Sequence, residues 1–367
     1  MKVVLTGGCT GGHIYPALAI ADKFREHDPA CEILYLGHDD GMERHIVPKY
    51  GYPLEFISSK WVDRSNVFKL ANTLRVNEKG KREAKKRMKE FKPDLVVSTG
   101  SFVSVPVVLA AHSLGIPVYI HEQNAYPGMA NKFLSRYARK VFLGFRHAAD
   151  HFDASKTLYS GNPVRAAFGT VGREEARETF GLPKDDFVIL VFGGSLGARG
   201  MNRIGMDIIR KYAGQEGVSV LFGTGKDYYD SVRESLEEEF PESGSNIHVM
   251  PYISDMVAAL AACDIVICRS GALSVAETTV SGRAAIFVPS PNVTGDHQYY
   301  NAKEVADQGG AVIVTEDAEA SEHVLDTLAC MKEDLSILRD MEESSRKVAP
   351  IHATDIIYDT IKEDLAF

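Results

Sequence analysis

The chain is poor in the features that would classify it quickly. Its five cysteines, Cys9, Cys31, Cys263, Cys268 and Cys330, are odd in number and scattered, with no C-x-x-C pair. That argues against a disulfide framework or a thiolate zinc site and fits a reducing cytoplasm. No Asp-x-Asp occurs anywhere, so a common two-carboxylate grip on a divalent metal is missing. Between Leu95 and Ile120 there is no Asp, Glu, Lys or Arg. A membrane-spanning helix needs about 20 mostly apolar residues. This stretch, however, is cut by Gly100, Pro106, Gly115 and Pro117 and dotted with serines. It predicts a buried strand, a short helix and a second buried strand. The opening MKVVL is too short for the apolar region of a signal peptide and reads as a first strand.

What is present is ordinary in amount and uneven in placement. The 367 residues suit two domains, and apolar and charged contents of 45% and 25% are those of a soluble globular protein. The net charge of -9 conceals a split. Residues 1–165 carry 24 Lys+Arg against 16 Asp+Glu, whereas the remainder carries 17 against 34. General nucleic-acid binding is argued against, while one half keeps the charge to meet an anionic surface. Strand-like runs alternate with helical patterns: "VVLTGG" with "PALAIADKFREH", "DLVVSTG" with "VPVVLAAHSLG", "FVILVFGG" with "MNRIGMDIIRKYA". The scheme runs twice and predicts two doubly wound parallel-sheet domains, joined near Tyr159–Gly169. Ligands of such sheets sit beyond the carboxyl ends of the strands, so the expected site is a cleft between the domains.

Two glycine loops carry the chemistry. In "GGCTGGH" (Gly7–His13), Cys9 stands where a dinucleotide fingerprint has its middle glycine, and no Gly-Lys-Ser/Thr follows. "GGSLGA" (Gly193–Ala198) fails both tests as well. What remains is generic: glycines let backbone N–H groups approach an anion, and the next helix adds its positive end. A strand–glycine–helix corner is purely structural about as often, but two such loops in one chain strengthen the phosphate reading. A third segment, "CRSGALSVAETTVSGRAAIFVPSP", places Glu277 within the first two turns of a helix. There it either receives vicinal sugar hydroxyls or merely complements the helix dipole. Asp296, His297 and Gln298 in "TGDHQYYNA" add further polar groups.

Taken together, "GGCTGGHIYPALAIA", "HEQNAYPGMANKFLSRYA", "GNPVR", "GGSLGA", "RSGALSVAE" and "GDHQYYNA" resemble the MurG family of bacterial glycosyltransferases, in that family's order over almost the whole chain. The resemblance implies the GT-B type of α/β fold: two Rossmann-like doubly wound parallel-sheet domains with an interdomain cleft. It implies residues 1–163 as the acceptor and membrane-facing domain, with a last helix at about 350–367 packing back on it. Residues 164–349 are then the UDP-GlcNAc-binding domain. The implied reaction is inverting transfer of GlcNAc from UDP-GlcNAc to the 4-hydroxyl of undecaprenyl-diphospho-MurNAc-pentapeptide, without cofactor or metal, at the cytoplasmic face of the cell membrane. It also implies roles. Arg165 and the backbone of Ile253 lie at the uracil, Ser195 at the diphosphate and Glu277 at the ribose. Ala272, Leu273, Ser274, Val275, Ala276 and Glu277, with Gln298, form the nucleotide-sugar wall. Thr10, Gly11, Gly12 and Asn124 face donor sugar and acceptor, and His13 acts near the acceptor. Three positions depart from the family pattern: Cys9 and Ser101 stand where glycine is usual, and Leu196 where a polar residue is common.

His13 and Asn124 are the expected catalytic residues. A histidine at a helix start suits a general base, because the helix dipole favours its neutral form. The plainer reading has His13 only bridging loops, and His121 and Glu122 are rival bases that read instead as props for Asn124. Residues 60–92 hold 12 Lys+Arg and 4 Asp+Glu interleaved with Trp61, Val67, Phe68, Leu70, Ala71 and Leu74. This pattern suits an anionic membrane surface. Its alternative is a solvated basic helix packing Val67, Leu70 and Leu74 on the sheet. Rival functions on the same fold are a UDP-GlcNAc 2-epimerase, a diacylglycerol glycosyltransferase and a non-catalytic sugar-nucleotide sensor.

Overall fold

The computed structural model describes residues 1–62, 66–194, 196–240 and 246–366. The chain forms two compact units, Met1–Arg165 with Pro350–Phe367, and Ala166–Ala349. Val164 and Arg165 therefore group with the first unit, not the second.

The first unit is built on seven strands: β1 (Lys2–Thr6), β2 (Glu32–Gly37), β3 (Leu54–Phe56), β4 (Leu95–Ser98), β5 (Val118–Glu122), β6 (Lys140–Leu143) and β7 (Thr157–Tyr159). Their order is β3-β2-β1-β4-β5-β6-β7 and every pairing is parallel. Both faces of such a sheet are covered, so its central strands read as unbroken apolar runs. Successive side chains point to opposite faces. Val3 and Leu5 accordingly join Ile14, Leu18, Phe24, Ile357 and Ile361 in one core cluster. Val4 joins Met88, Val107, Val108 and Ile120 in the other. The charge-free stretch from Leu95 to Ile120 folds as β4, the helix Ser104–Ser113 and most of β5.

The last helix, Ala353–Leu365, belongs to this first unit. Tyr358 packs edge-on to Phe24 and stacks on His27 with ring centroids 4.1 Å apart. Lys23 pairs with Asp355 at 2.8 Å, and Asp364 accepts from Tyr119 and from Arg139.

The long helix Val67–Phe91 buries a narrow stripe of three small residues and one methionine, not the apolar ones at its start. Thr73, Gly80, Ala84 and Met88 face inward at spacings of three to four residues or their multiples. A Cβ on Gly80 would fall 1.7 Å from the carbonyl oxygen of Ser58, so only glycine allows this approach. Val67, Phe68 and Leu74 remain 81%, 84% and 59% exposed. This overturns the packing of Val67 and Leu74 on the sheet that the helical spacing allowed.

The second unit repeats the plan with β8 (Phe187–Phe192), β9 (Val218–Gly223), β10 (Ile247–Met250), β11 (Ile265–Cys268), β12 (Ala284–Phe287) and β13 (Ala311–Ile313). The order is β10-β9-β8-β11-β12-β13, again all parallel. All six residues of β8 are buried, as the run FVILVF requires of a central strand. Below it Asp264 gathers Arg173 at 2.9 Å and Arg177 at 2.8 Å, while Glu342 takes Arg173 and Arg283. Each of these partly buried charges thus has an opposite partner, as desolvated ions need.

Candidate active site

In each sheet the strand order reverses once, at β1 and β4 in the first unit and at β8 and β11 in the second. Loops leaving the carboxyl ends of strands at such a switch point are where doubly wound sheets take ligands. "GGCTGGH" leaves β1, "GGSLGA" leaves β8 and "RSGALS" leaves β11.

In the first unit three loops meet. Residues 7–10 turn into the helix Gly11–His27, whose N-cap, Thr10, is exposed and makes no capping bond with its side chain. The N–H groups of Gly11 and Gly12 lie in the first helical turn, where no intrahelical acceptor exists. His13 follows, half-buried. Its Nδ1 lies 2.9 Å from the Thr99 carbonyl oxygen, in the loop after β4, and 2.9 Å from Oε1 of Gln123, in the loop after β5. Gln123 is buried and its Nε2 lies 3.0 Å from both Nδ1 and the carbonyl oxygen of His121. His121 Nε2 in turn meets the Gly161 carbonyl at 3.0 Å. Full burial pushes the His121 imidazole down to about 4, so the ring is neutral at any working pH.

His121 and Glu122, both expected as props for Asn124, divide the work differently. Glu122 does hold Asn124: its Oε1 accepts the Asn124 backbone N–H at 2.9 Å, and its Oε2 accepts from Gly128 and Asn131. His121 reaches His13 instead, through Gln123. Sequence reasoning passed over Gln123 although it lies inside "HEQN", because its role depends on three loops meeting.

A second omission is Glu43. It is fully buried, and its carboxylate accepts the N–H of Cys9 at 2.9 Å and of His38 at 2.8 Å. Cβ atoms on Gly8 and Gly41 would lie 2.3 and 2.1 Å from its oxygens, so glycine at both positions makes its seat. Glu43 thereby fixes the shape of the first glycine loop from beneath. Arg165 sits half-buried with its guanidinium 5.9 Å from the Tyr15 ring centroid.

In the second unit, Ser195 lies outside the described residues; its neighbour Leu196 is 68% exposed. Ile253, just past β10, is buried. The helix Ala272–Val280 begins at Gly271 without a side-chain cap. Ala272, Val275 and Ala276 pack inward, whereas Leu273, Ser274 and Glu277 are half-buried. Gln298 accepts the Ser290 backbone N–H on its Oε1 at 2.9 Å. Arg269, before the third glycine turn, pairs with Glu316 at 2.7 Å. Among the described residues no cluster of three or more His, Cys, Asp or Glu is arranged to hold a metal ion.

Residues 3–143 match the glycosyltransferase family 28 N-terminal domain and residues 188–355 its C-terminal domain. A relative from Acetivibrio thermocellus is 36% identical over 99% of this chain and 98% of its own length. The chain belongs to glycosyltransferase family 28. That relative is described as a UDP-N-acetylglucosamine–N-acetylmuramyl-(pentapeptide) pyrophosphoryl-undecaprenol N-acetylglucosamine transferase. The solved MurG of Acinetobacter baumannii superimposes with a TM-score of 0.75 at 32% identity, covering 99% of each chain. A UDP-GlcNAc 2-epimerase from Neisseria meningitidis, solved with UDP-GlcNAc bound, reaches 0.72 at 14% identity over 99% of this chain and 100% of its own. At that identity the likeness is one of fold alone. The GT-B type of fold expected from the sequence is therefore established, and family 28 membership makes the chain a glycosyltransferase.

Proposed function

We propose that this chain moves GlcNAc from UDP-GlcNAc to the 4-hydroxyl of undecaprenyl-diphospho-MurNAc-pentapeptide, with inversion, completing the lipid-linked peptidoglycan precursor. One observation carries the reading. The motifs shared with the MurG family lie on the loops at the carboxyl ends of both sheets, in a chain alike to MurG transferases from end to end. The epimerase alternative rests on shared fold only.

In this reading the first unit takes the acceptor. Backbone N–H groups of Gly11 and Gly12 face the acceptor diphosphate, Thr10 and Asn124 orient the sugars, and His13 accepts the proton of the attacking hydroxyl. The second unit takes the donor. Ser195, the glycine loop around it and the first turn of the helix Ala272–Val280 meet the diphosphate, Glu277 the ribose hydroxyls, and Gln298 the sugar. The Ile253 backbone recognises uracil, a role for which Arg165, the last residue of the first unit's opening stretch, is also proposed. Charge developing on the departing UDP is met by main-chain dipoles and N–H groups fixed before the reaction, which cost no reorganisation. The sequence holds no Asp-x-Asp pair, and in this reading the stabilisation comes from this chain's own groups, which activity in excess chelator tests.

Partners follow from the acceptor. Its lipid tail stays in the bilayer, so the enzyme works as a peripheral protein at the cytoplasmic face, on anionic lipid, through residues 60–92. No described helix is long and apolar enough to cross a membrane. Exposed Trp61, Val67, Phe68 and Leu74 beside the lysines and arginines support an interfacial contact.

The test is UDP release from UDP-GlcNAc with and without the muramyl lipid, repeated in excess chelator. Release that requires the lipid and survives the chelator is expected. Isomerised UDP-sugar formed without lipid would transfer the assignment to an epimerase.

A further inference from the structure

We propose that Gln123, oriented by buried His121, is a positioning residue that stores the proton of His13 on Nδ1 and presents the bare Nε2 lone pair to the acceptor hydroxyl. The proposal rests on the reading of His13 as the general base, and it names what makes that ring a base in one orientation only.

Three carbonyl oxygens fix every proton in this chain of contacts, because a carbonyl can only accept. The Gly161 carbonyl at 3.0 Å requires a hydrogen on Nε2 of His121. The neutral ring of His121 then has an acceptor at Nδ1, which faces Nε2 of Gln123 at 3.0 Å. The His121 carbonyl, also 3.0 Å from Nε2 of Gln123, independently requires the amide N–H₂ on that side. The amide is therefore not free to flip, and Oε1 must face His13. With the Thr99 carbonyl and Oε1 of Gln123 both at 2.9 Å from Nδ1 of His13, two acceptors converge on one nitrogen, and it must carry the hydrogen. Nε2 of His13 has no protein partner among the described residues.

The arrangement matters because a free histidine side chain prefers its neutral proton on Nε2, which would leave no lone pair toward an incoming hydroxyl. In the proposed step the O–H bond of the acceptor breaks and its proton passes to Nε2 of His13. The oxygen forms the bond to C1 of GlcNAc, and the pair of the C1–O bond leaves on the β-phosphate of UDP. The ring becomes an imidazolium whose Nδ1–H is held by the same two oxygens, so the orienting contacts also stabilise the charge formed. Burial of His121 is part of the device. A proton on its Nδ1 would repel the Gln123 N–H₂, turn the amide over and set a donor against a donor at His13. The backbone of Gln123 is itself pinned, since its carbonyl accepts from Asn162 Nδ2 at 3.0 Å.

The experiment uses the full-length chain labelled with ¹⁵N-histidine, in which ring nitrogen shifts and long-range couplings report the tautomer directly. The native His13 ring is expected as the Nδ1–H form. Gln123→Met, close in shape but without the amide, should raise the Nε2–H fraction. It should lower kcat roughly 10- to 100-fold, with KM for UDP-GlcNAc within about twofold, as for an effect on chemistry and not on donor binding. Gln123→Glu keeps an acceptor toward Nδ1 and should restore the Nδ1–H form, with kcat above that of Gln123→Met but below native, because its second oxygen meets the two His121 acceptors without the amide hydrogens. A native ring protonated on Nε2 overturns the proposal whatever any variant does, as does a Gln123→Met protein with the native tautomer. A shifted tautomer with unchanged kcat would leave Gln123 as the orienting residue and remove His13 as the base, so the two readings fail separately.

Discussion

The hydroxyl of Ser101 donates to the sulfur of Cys9 at 3.3 Å, and both residues hold left-handed backbone, with φ of 71° and 70°. Each such non-glycine residue costs roughly 1–2 kcal/mol relative to ordinary backbone. The two positions singled out in the sequence as standing where glycine is usual are thus positions where glycine would be relaxed. Their side chains meet and tie the loop after β1 to the loop after β4.

That contact sets an order of thiol reactivity. Burial pushes the Cys9 thiol up, the Ser101 hydrogen bond draws it partly back, and the Glu43 carboxylate pushes it up again. Burial raises Cys31 to about 11 and Cys263 to about 12, and raises Cys268 further. Only thiolates react readily. Peptide mapping after timed alkylation at pH 7.5 should find exposed Cys330 modified first and Cys9 well behind it. Cys31, Cys263 and Cys268 should react only on unfolding.

His121 predicts a pH dependence of stability. Its folded value, about 4, lies below the ordinary 6.5. As pH falls through 6.5 the unfolded chain takes a proton that the folded chain refuses until about pH 4, so stability drops across that window and is intact above it. The His121 share amounts to about 2 kcal/mol between pH 7.5 and 5. Urea titrations at the two values should show it, and His121→Gln should remove this component. An unchanged pH slope in that variant would refute the assignment.

His13→Ala should lower kcat by roughly 10²- to 10⁴-fold, the usual worth of a positioned base, with KM for UDP-GlcNAc nearly unchanged. Steady-state kinetics with the muramyl lipid decide it. Parallel losses in kcat and donor affinity would make His13 a binding residue.

Replacing Val67 and Phe68 with serine should weaken flotation with anionic vesicles at least tenfold and leave the far-ultraviolet spectrum and thermal transition unchanged, because both side chains are exposed. Raising salt should weaken native binding further, since each basic residue near an anionic surface contributes about 1 kcal/mol that ions screen. Equal, negligible binding to anionic and neutral vesicles would refute the membrane contact.

The two sheets were legible because alternation of apolar runs with helical patterns is a local signal. "FVILVF" and "LVVS" can hardly be anything but buried parallel strands. The glycine loops were legible for the same reason. What escaped was anything assembled by topology. Gln123 gains its role only when the ends of β1, β4 and β5 come together, over separations of 110 residues from His13 and two from His121. Glu43 reads in "GMERH" as one more surface acid, and only the glycines at 8 and 41, far apart in sequence, reveal the seat it fills. For the helix Val67–Phe91 the sequence left two readings open, an interfacial face or the packing of Val67, Leu70 and Leu74 on the sheet. Period alone cannot say that a helix buries Thr73, Gly80, Ala84 and Met88 and shows Val67, Phe68 and Leu74.

The helix Ala353–Leu365 supplies Ile357, Tyr358 and Ile361 to a core begun by Val3 and Leu5. During synthesis, then, residues 166–349 emerge whole between the earlier part of this unit and the helix that closes its core. The inserted unit is free to fold while translation continues, whereas the earlier one must wait, with Phe24 and its neighbours uncovered, until Ile357, Tyr358 and Ile361 have emerged. Removing the helix Ala353–Leu365 would therefore injure a unit whose other residues are encoded far upstream.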